Sequence, residues 1–269
     1  MHQNVFKSGL LSVTFREKAP ESIISLVSNA GLQSIEWGGD KHLPAGDTAA
    51  AERLGRQTRE AGLDVSAYGS YYKFEDIDAS SETEGPSPLA VLDSAEALGT
   101  GMVRIWPGSL GSAEAPERWR RRLVERTQEL AALAAERSLS LGFEFHNNSL
   151  TDTAASTARL LDEVNRPNVS TFWQTNRGVS RESHLEGLRF LRERVSHVHC
   201  HHLVAHRQPP FELLEHGEED WIPFLRLLPE TGRPRFVSIE FVRDGSEESF
   251  RRDAATLRRW LSTLDTPAV

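Results

Sequence analysis

The stretch Ser140-Leu-Gly-Phe-Glu144-Phe-His146 decides how the chain is read. It is short and apolar, as a strand buried on both faces must be, yet one acid sits inside it. Side chains alternate along a strand, so Glu144 and His146 share one face and Phe143 and Phe145 the other. Residues 116–137 before it carry the longest helical periodicity of the chain, and residues 152–164 after it predict another helix. A strand set between two helices is the unit from which parallel sheets are made.

The same unit recurs in both directions. Apolar runs predict strands at 9–14, 34–37, 64–68, 102–105, 140–145, 169–173, 197–200 and 236–241. Helical spacing predicts helices at 20–30, 48–61, 88–98, 116–137, 152–164, 181–194, 220–228 and 247–264. Gly31, Gly62 and Gly99 stand where helices must stop, and Asp152 and Ser180 are placed to cap helix N-termini. Eight units in 269 residues give about 34 residues each, the size of one strand–helix repeat. Eight is also the number that closes a parallel barrel, so the expectation is one (β/α)8 TIM barrel over residues 1–269. An open doubly wound sheet would carry a glycine-rich turn after its first strand, and Ser12-Val13-Thr14-Phe15-Arg16 has none. The polar stretch 75–88 reads as a long loop after the third strand, a candidate lid.

Composition excludes several classes. A net charge of −8 argues against nucleic-acid binding, which needs a basic face. Arg118, Arg120, Arg121 and Arg122 cluster, but among Glu114, Glu117, Glu125 and Glu129, which reads as a solvated helix face. Cys200 is the single cysteine, which fits a reducing compartment. Residues 1–9 lack the apolar core of a signal peptide, and no run approaches the roughly 18 apolar residues of a membrane span. The expected location is the cytoplasm, with no membrane partner.

In a parallel barrel the active site forms at the C-terminal strand ends. Strand five ends in Glu144-Phe-His146, strand six in Trp173-Gln174-Thr-Asn176-Arg177, strand seven in His197-Val-His199-Cys-His201-His202, and strand eight in Ser238-Ile-Glu240-Phe-Val-Arg243. Parity puts Phe143, Phe145, Ile239 and Phe241 on the helix side, and Glu144, His146, Glu240 and one row of histidines in the lumen. Two carboxylates facing each other there must share a proton, bind a cation, or both. A divalent metal held by carboxylate and imidazole is the simplest solution. One of His197, His199, His201 and His202 is its expected ligand. The others, His201 among them, fall to substrate contact or packing. His184, His206 and His216 read as surface residues.

The remaining strand ends form a rim. Glu36 and His42, placed to reach substrate, flank Gly38-Gly39, whose missing side chains suggest a close backbone approach. Strand three ends in Tyr68-Gly-Ser-Tyr71-Tyr72, and strand four in Arg104-Ile-Trp106. Aromatic rings such as Tyr68, Trp37, Trp106 and Trp173 suit the C–H faces of a sugar, and Asn176 adds an amide. Arg104, Arg177 and Arg243 are candidates for a phosphate or carboxylate.

On Glu144-Phe-His146, His197-Val-His199 and Ser238-Ile-Glu240 the chain resembles the sugar phosphate isomerase/epimerase group with the xylose isomerase-like barrel, over nearly its full length. The resemblance implies one divalent ion (Mn, Mg, Co or Zn) on Glu144, His199 and Glu240, with the two glutamates exchanging protons with a substrate carbon. It also implies an aspartate on strand six, where this chain has Gln174. Three outcomes stay open there: Gln174 is a weak, neutral fourth ligand, His146 compensates, or the metal is lost. A homodimer is also open, because barrels of this group often pair.

The leading expectation is therefore a metal-dependent isomerase or epimerase of a small keto sugar or polyol, working through an enediolate with Glu144 and Glu240 as acid and base. If the enediolate expels a β-hydroxyl instead, the chain is a lyase, a dehydratase of an inosose or ketosugar. A non-catalytic sugar-binding protein is the third reading. Phosphodiester cleavage, as in endonuclease IV-like enzymes on this barrel, is disfavoured by the acidic charge.

Overall fold

The computed structural model describes residues 6–74, 86–204, 208, 210–228 and 235–264. Eight parallel strands close on themselves in the order β1-β10-β7-β6-β5-β4-β3-β2. They are β1 (Phe6–Leu11), β2 (Ser34–Gly38), β3 (Asp64–Lys73), β4 (Met102–Trp106), β5 (Ser140–Glu144), β6 (Val169–Trp173), β7 (Val195–Cys200) and β10 (Arg235–Ile239). Between β7 and β10 a short antiparallel pair, β8 (His202–Leu203) and β9 (Phe211–Glu212), stands over the barrel mouth.

Eight helices alternate with the strands: α1 (Pro20–Asn29), α2 (Thr48–Glu60), α3 (Pro88–Leu98), α4 (Glu117–Glu136), α5 (Ala154–Val164), α6 (Arg181–Leu191), α7 (Glu218–Arg226) and α8 (Glu247–Leu264). Each buries one apolar stripe, such as Leu123, Leu130, Ala131 and Ala134 of α4. These stripes pack on the outward strand residues Leu141, Phe143, Val198, Val237 and Ile239, all fully buried. Gly31, Gly62 and Gly99 hold φ of 69°, 77° and 76°, the left-handed turn that ends the helices before β2, β3 and β4. Ser180 caps α6 by accepting from the Ser183 amide.

Four expectations are corrected. The first strand lies earlier, at 6–11, and residues 12–15 form a 3-10 turn. Ser12 Oγ accepts from the Gly38 amide (2.8 Å) and Thr14 Oγ1 from the Phe241 amide (3.0 Å), so hydroxyls replace ladder partners there. The eighth strand ends at Ile239, because Phe241 turns into the left-handed region (φ 59°). Thr153 caps α5, while Asp152 accepts from the Ser112 amide at 2.8 Å. Arg120 is not solvated: it is buried, with Nε on Glu163 at 2.7 Å. Of the candidate lid, residues 75–85 lie outside the described residues, as does His206.

Among the described residues no helix is long and apolar enough to cross a membrane.

Candidate active site

Alternation turns one face of each strand into the lumen, and the charged residues on those faces meet there. Arg104 of β4 donates from Nε to Glu36 of β2 (2.6 Å) and from Nη1 to Glu144 of β5. Glu36 also faces His199 of β7, with Nε2 at 3.1 Å from its second carboxylate oxygen. On its other side the His199 ring presents Nδ1 to Glu240 at 3.7 Å, and His201 Nδ1 stands 3.6 Å from the same carboxylate oxygen. Both distances exceed hydrogen-bond length and leave room between the groups. Arg104, Glu36, Glu144 and His199 are each at most 3% exposed, so their charges interact with little screening.

The expected repulsion between lumen carboxylates is thus met in part by a guanidinium, which the sequence reading had placed on the rim. Burial pushes Glu36 upward, but Arg104 and His199 outweigh it and hold the carboxyl at about 2. Burial likewise works against Glu240, and His201, His199 and Arg104 hold it below the usual range. Burial lowers His199, but Glu36 and Glu240 raise it overall. One layer down, His197 is stacked on Phe172 (4.4 Å) and Phe236 (5.3 Å), and burial pulls it down to about 4. His197 is therefore a neutral packing residue, with Nε2 at 3.1 Å from the Ser66 carbonyl.

Above this layer opens a cavity of about 370 Å³. Glu144, Gln174, His201 and Glu240 form part of its lining, and Arg104, Trp106, His146 and Asn176 also reach it. Four expected contacts do not line it, Glu36 among them, which is taken up by Arg104 and His199. His42 is turned to Ser12 Oγ (2.9 Å) and packs edge-on to Trp37. Tyr68 is fully buried and donates to the Leu43 carbonyl at 2.9 Å. Arg243 donates to Glu212 at 3.2 Å. Trp37 and Trp173 are buried in packing, Trp37 donating to Thr58 Oγ1 at 3.1 Å and Trp173 lying 5.2 Å from Phe224. The close approach at Gly39 is to Tyr68, whose hydroxyl would stand 2.9 Å from an added Cβ. His184 is buried rather than exposed, and its Nε2 accepts from the Asn176 amide at 2.9 Å.

The structure also adds residues. Tyr71, at φ 56°, lines the cavity, takes a hydrogen bond from Arg16 (3.0 Å) and lies 5.3 Å under the Arg104 guanidinium. Phe241, expected on the helix side, lines the cavity instead and packs on Phe211 at 4.8 Å. Both Tyr71 and Phe241 hold positive φ without being glycine, the kind of strain that gathers at functional sites.

The donor set fits a divalent cation. Glu144, His199 and Glu240 each offer a ligand atom, all within 4.8 Å of one another. Gln174 donates from Nε2 to the Phe145 carbonyl (2.9 Å), which leaves its Oε1 buried without a hydrogen-bond partner. His199 Nδ1 is buried and unpartnered in the same way. Two carboxylates, an amide oxygen and an imidazole suit a hard or borderline ion such as Mn, Mg, Co or Zn.

The sequence profile of the xylose isomerase-like TIM barrel matches residues 24–261. The chain belongs to that family. A 3-dehydroshikimate dehydratase of Bacillus anthracis is 28% identical over 168 residues, which span 61% of this chain and 59% of that relative, under two thirds of its length. Among solved structures, the probable 3-DHS dehydratase AsbF of petrobactin synthesis from Bacillus anthracis superposes with a TM-score of 0.74. It is 20% identical, with 94% of this chain and 99% of that one covered. L-ribulose 3-epimerase superposes equally well, with a TM-score of 0.74, 18% identity and 96% and 95% coverage. Dehydratases and epimerases thus share this family member's fold.

Proposed function

We propose that the chain is a metal-dependent enzyme that takes a proton from a carbon beside a carbonyl in a small polyhydroxylated substrate. The carrying observation is the buried Glu144–His199–Glu240 cluster, whose two glutamates line one cavity together with Gln174, its Oε1 unpartnered. A divalent ion on Glu144, Gln174, His199 and Glu240 supplies a Lewis acid for a carbonyl oxygen.

The chain's own groups divide the remaining work. Arg104 holds the Glu144 carboxylate in place from Nη1, so Glu144 is better suited to ligation than to proton exchange. His146 is the open base. Its Nδ1 donates to the Asn147 carbonyl (2.6 Å), which leaves the Nε2 lone pair free, and its ring rests 4.5 Å from that of Trp106. Glu240, held anionic by His199 and His201, is the second candidate.

With one freely placed base, dehydration is the reading we favour. The base takes the proton, the C–H electron pair forms the double bond, and the β C–O bond breaks. The leaving hydroxyl then takes the proton back and departs as water. The sequence relative named a 3-dehydroshikimate dehydratase supports this outcome. Isomerisation or epimerisation is the second reading. It is favoured by the epimerase likeness and by two carboxylates, Glu144 and Glu240, reaching one cavity.

Incubating the Mn-loaded protein with 3-dehydroshikimate, and separately with L-ribulose in deuterated water, separates the two by mass. Loss of one water from the first supports dehydration; deuterium gain with no loss of water from the second supports epimerisation. No change in either, with metal bound, would count against the proton-abstraction reading for both probe classes.

A further inference from the structure

We infer that Glu36 is the positioning residue of the metal centre, fixing two of its ligands from beneath; the inference rests on the metal site proposed above. Its two oxygens are divided between two partners. One accepts from Arg104 Nε at 2.6 Å, and the other faces His199 Nε2 at 3.1 Å. Glu36 is 1% exposed and does not line the cavity, so it has no access to a substrate.

The first consequence concerns His199. A carboxylate accepts only, so the ring nitrogen facing it must carry the proton. In the neutral ring that places the proton on Nε2 and leaves the Nδ1 lone pair directed at the space by Glu240, where Nδ1 has no hydrogen-bond partner. Such carboxylate–imidazole pairing selects the tautomer that binds a metal and holds the ring in its plane. The second consequence runs through Arg104. Held at Nε by Glu36, the guanidinium presents Nη1 to Glu144 and fixes that carboxylate in turn. One acid on β2 therefore orients a ligand on β7 directly and a ligand on β5 through Arg104, across the full width of the lumen.

An amide at this position cannot do both tasks. In Glu36→Gln the oxygen accepts at one end and the NH2 faces the other partner. If the NH2 faces His199, the ring must accept at Nε2, and its proton moves to Nδ1, where it blocks the metal. If it faces Arg104, donor meets donor and the guanidinium must leave Glu144.

The test is Mn2+ affinity by calorimetry on chelator-stripped wild type, Glu36→Gln and Glu36→Asp, with His199→Ala as the floor. Folding of each variant is checked by circular dichroism. Glu36→Gln is expected to bind Mn2+ roughly 10- to 100-fold more weakly, with Glu36→Asp recovering part of the loss. The 15N shifts of His199 in the metal-free protein, read at about pH 9 where a free imidazole is neutral, are expected to show an Nε2–H ring in wild type and a changed ring in Glu36→Gln. A folded Glu36→Gln with unchanged Mn2+ affinity and unchanged 15N shifts overturns the inference alone. A wild type that binds no divalent ion overturns the metal site itself.

Discussion

Replacing Arg104 with methionine keeps most of the side-chain volume and removes the charge on which the lumen depends. Glu36 is the gauge of the cost. Its carboxyl is held at about 2 against an ordinary 4.5, with burial opposing and Arg104 the largest favourable influence. That lowering, the net of burial against Arg104 and His199, corresponds to about 3 kcal/mol. It falls within the roughly 3–5 kcal/mol lost when one member of a buried ion pair is deleted. The sign with pH follows. A depressed carboxyl stabilises the fold above its ordinary range, and the wild type loses this only as pH falls through about 2. In Arg104→Met the freed carboxylates are buried without their cation, so they take up protons at higher pH. The deficit should be full at pH 7 and shrink towards pH 4. Urea unfolding of the metal-free proteins measures it: with an m-value of about 3 kcal/mol/M the midpoint drops by about 1 M at neutral pH. A loss below about 1 kcal/mol, or one that does not change with pH, would refute the account of Arg104 as the lumen's counter-cation.

Glu240→Gln should keep the fold and the urea midpoint but lose both turnover and most Mn2+ binding, as steady-state assays and calorimetry would show; an unchanged rate removes Glu240 from the site. His146→Asn should abolish turnover while Mn2+ affinity stays within a few-fold, because His146 borders the cavity without joining the ligand cluster. Asp253 is buried, with Oδ1 accepting from the Leu214 amide (2.9 Å) and Oδ2 unpartnered, and burial pushes its carboxyl up to about 7. A raised carboxyl stabilises fully below its ordinary pKa, and that contribution is lost as pH rises to about 7. At most about 4 kcal/mol disappears over this window. Asp253→Asn should flatten the pH dependence of the urea midpoint across it, and an unchanged profile would count against the assignment.

The barrel was legible because strands buried on both faces leave apolar runs that neither loops nor exposed helices imitate. Its first strand was misplaced for a local reason. Leu10-Leu11-Ser12-Val13 reads as one run, and only the distant amides of Gly38 and Phe241 show that Ser12 and Thr14 leave the ladder. Glu144 and Glu240 stood out by strand-end position and parity together; these left the histidine open among four, and His199 came only from the family resemblance. The Arg104 clamp was not, since its partners Glu36 and Glu144 lie 68 and 40 residues away. A signal did exist: Glu36 and Arg104 are lone charges inside Ser34-Ile-Glu36-Trp and Met102-Val-Arg104-Ile, where a buried charge needs a partner. Tyr68 was named for the sugar face, yet Tyr71 is the tyrosine that meets the cavity. The β3–β4 register shifts after Gly69 and Tyr71 turns left-handed, which changes the tyrosine that meets the cavity.

Elemental analysis of the purified protein, before and after dialysis against a chelator, bears most directly on the central claim. The account predicts about one divalent ion per chain from the Glu144–His199–Glu240 cluster, lost on chelation, restored by added Mn2+ and absent in a folded Glu144→Gln, Glu240→Gln double variant. A wild type that carries no metal, and whose melting temperature does not respond to Mn, Mg, Co or Zn, would contradict it. It would leave Glu144, Gln174 and Glu240 lining a sugar-binding pocket above a buried His199.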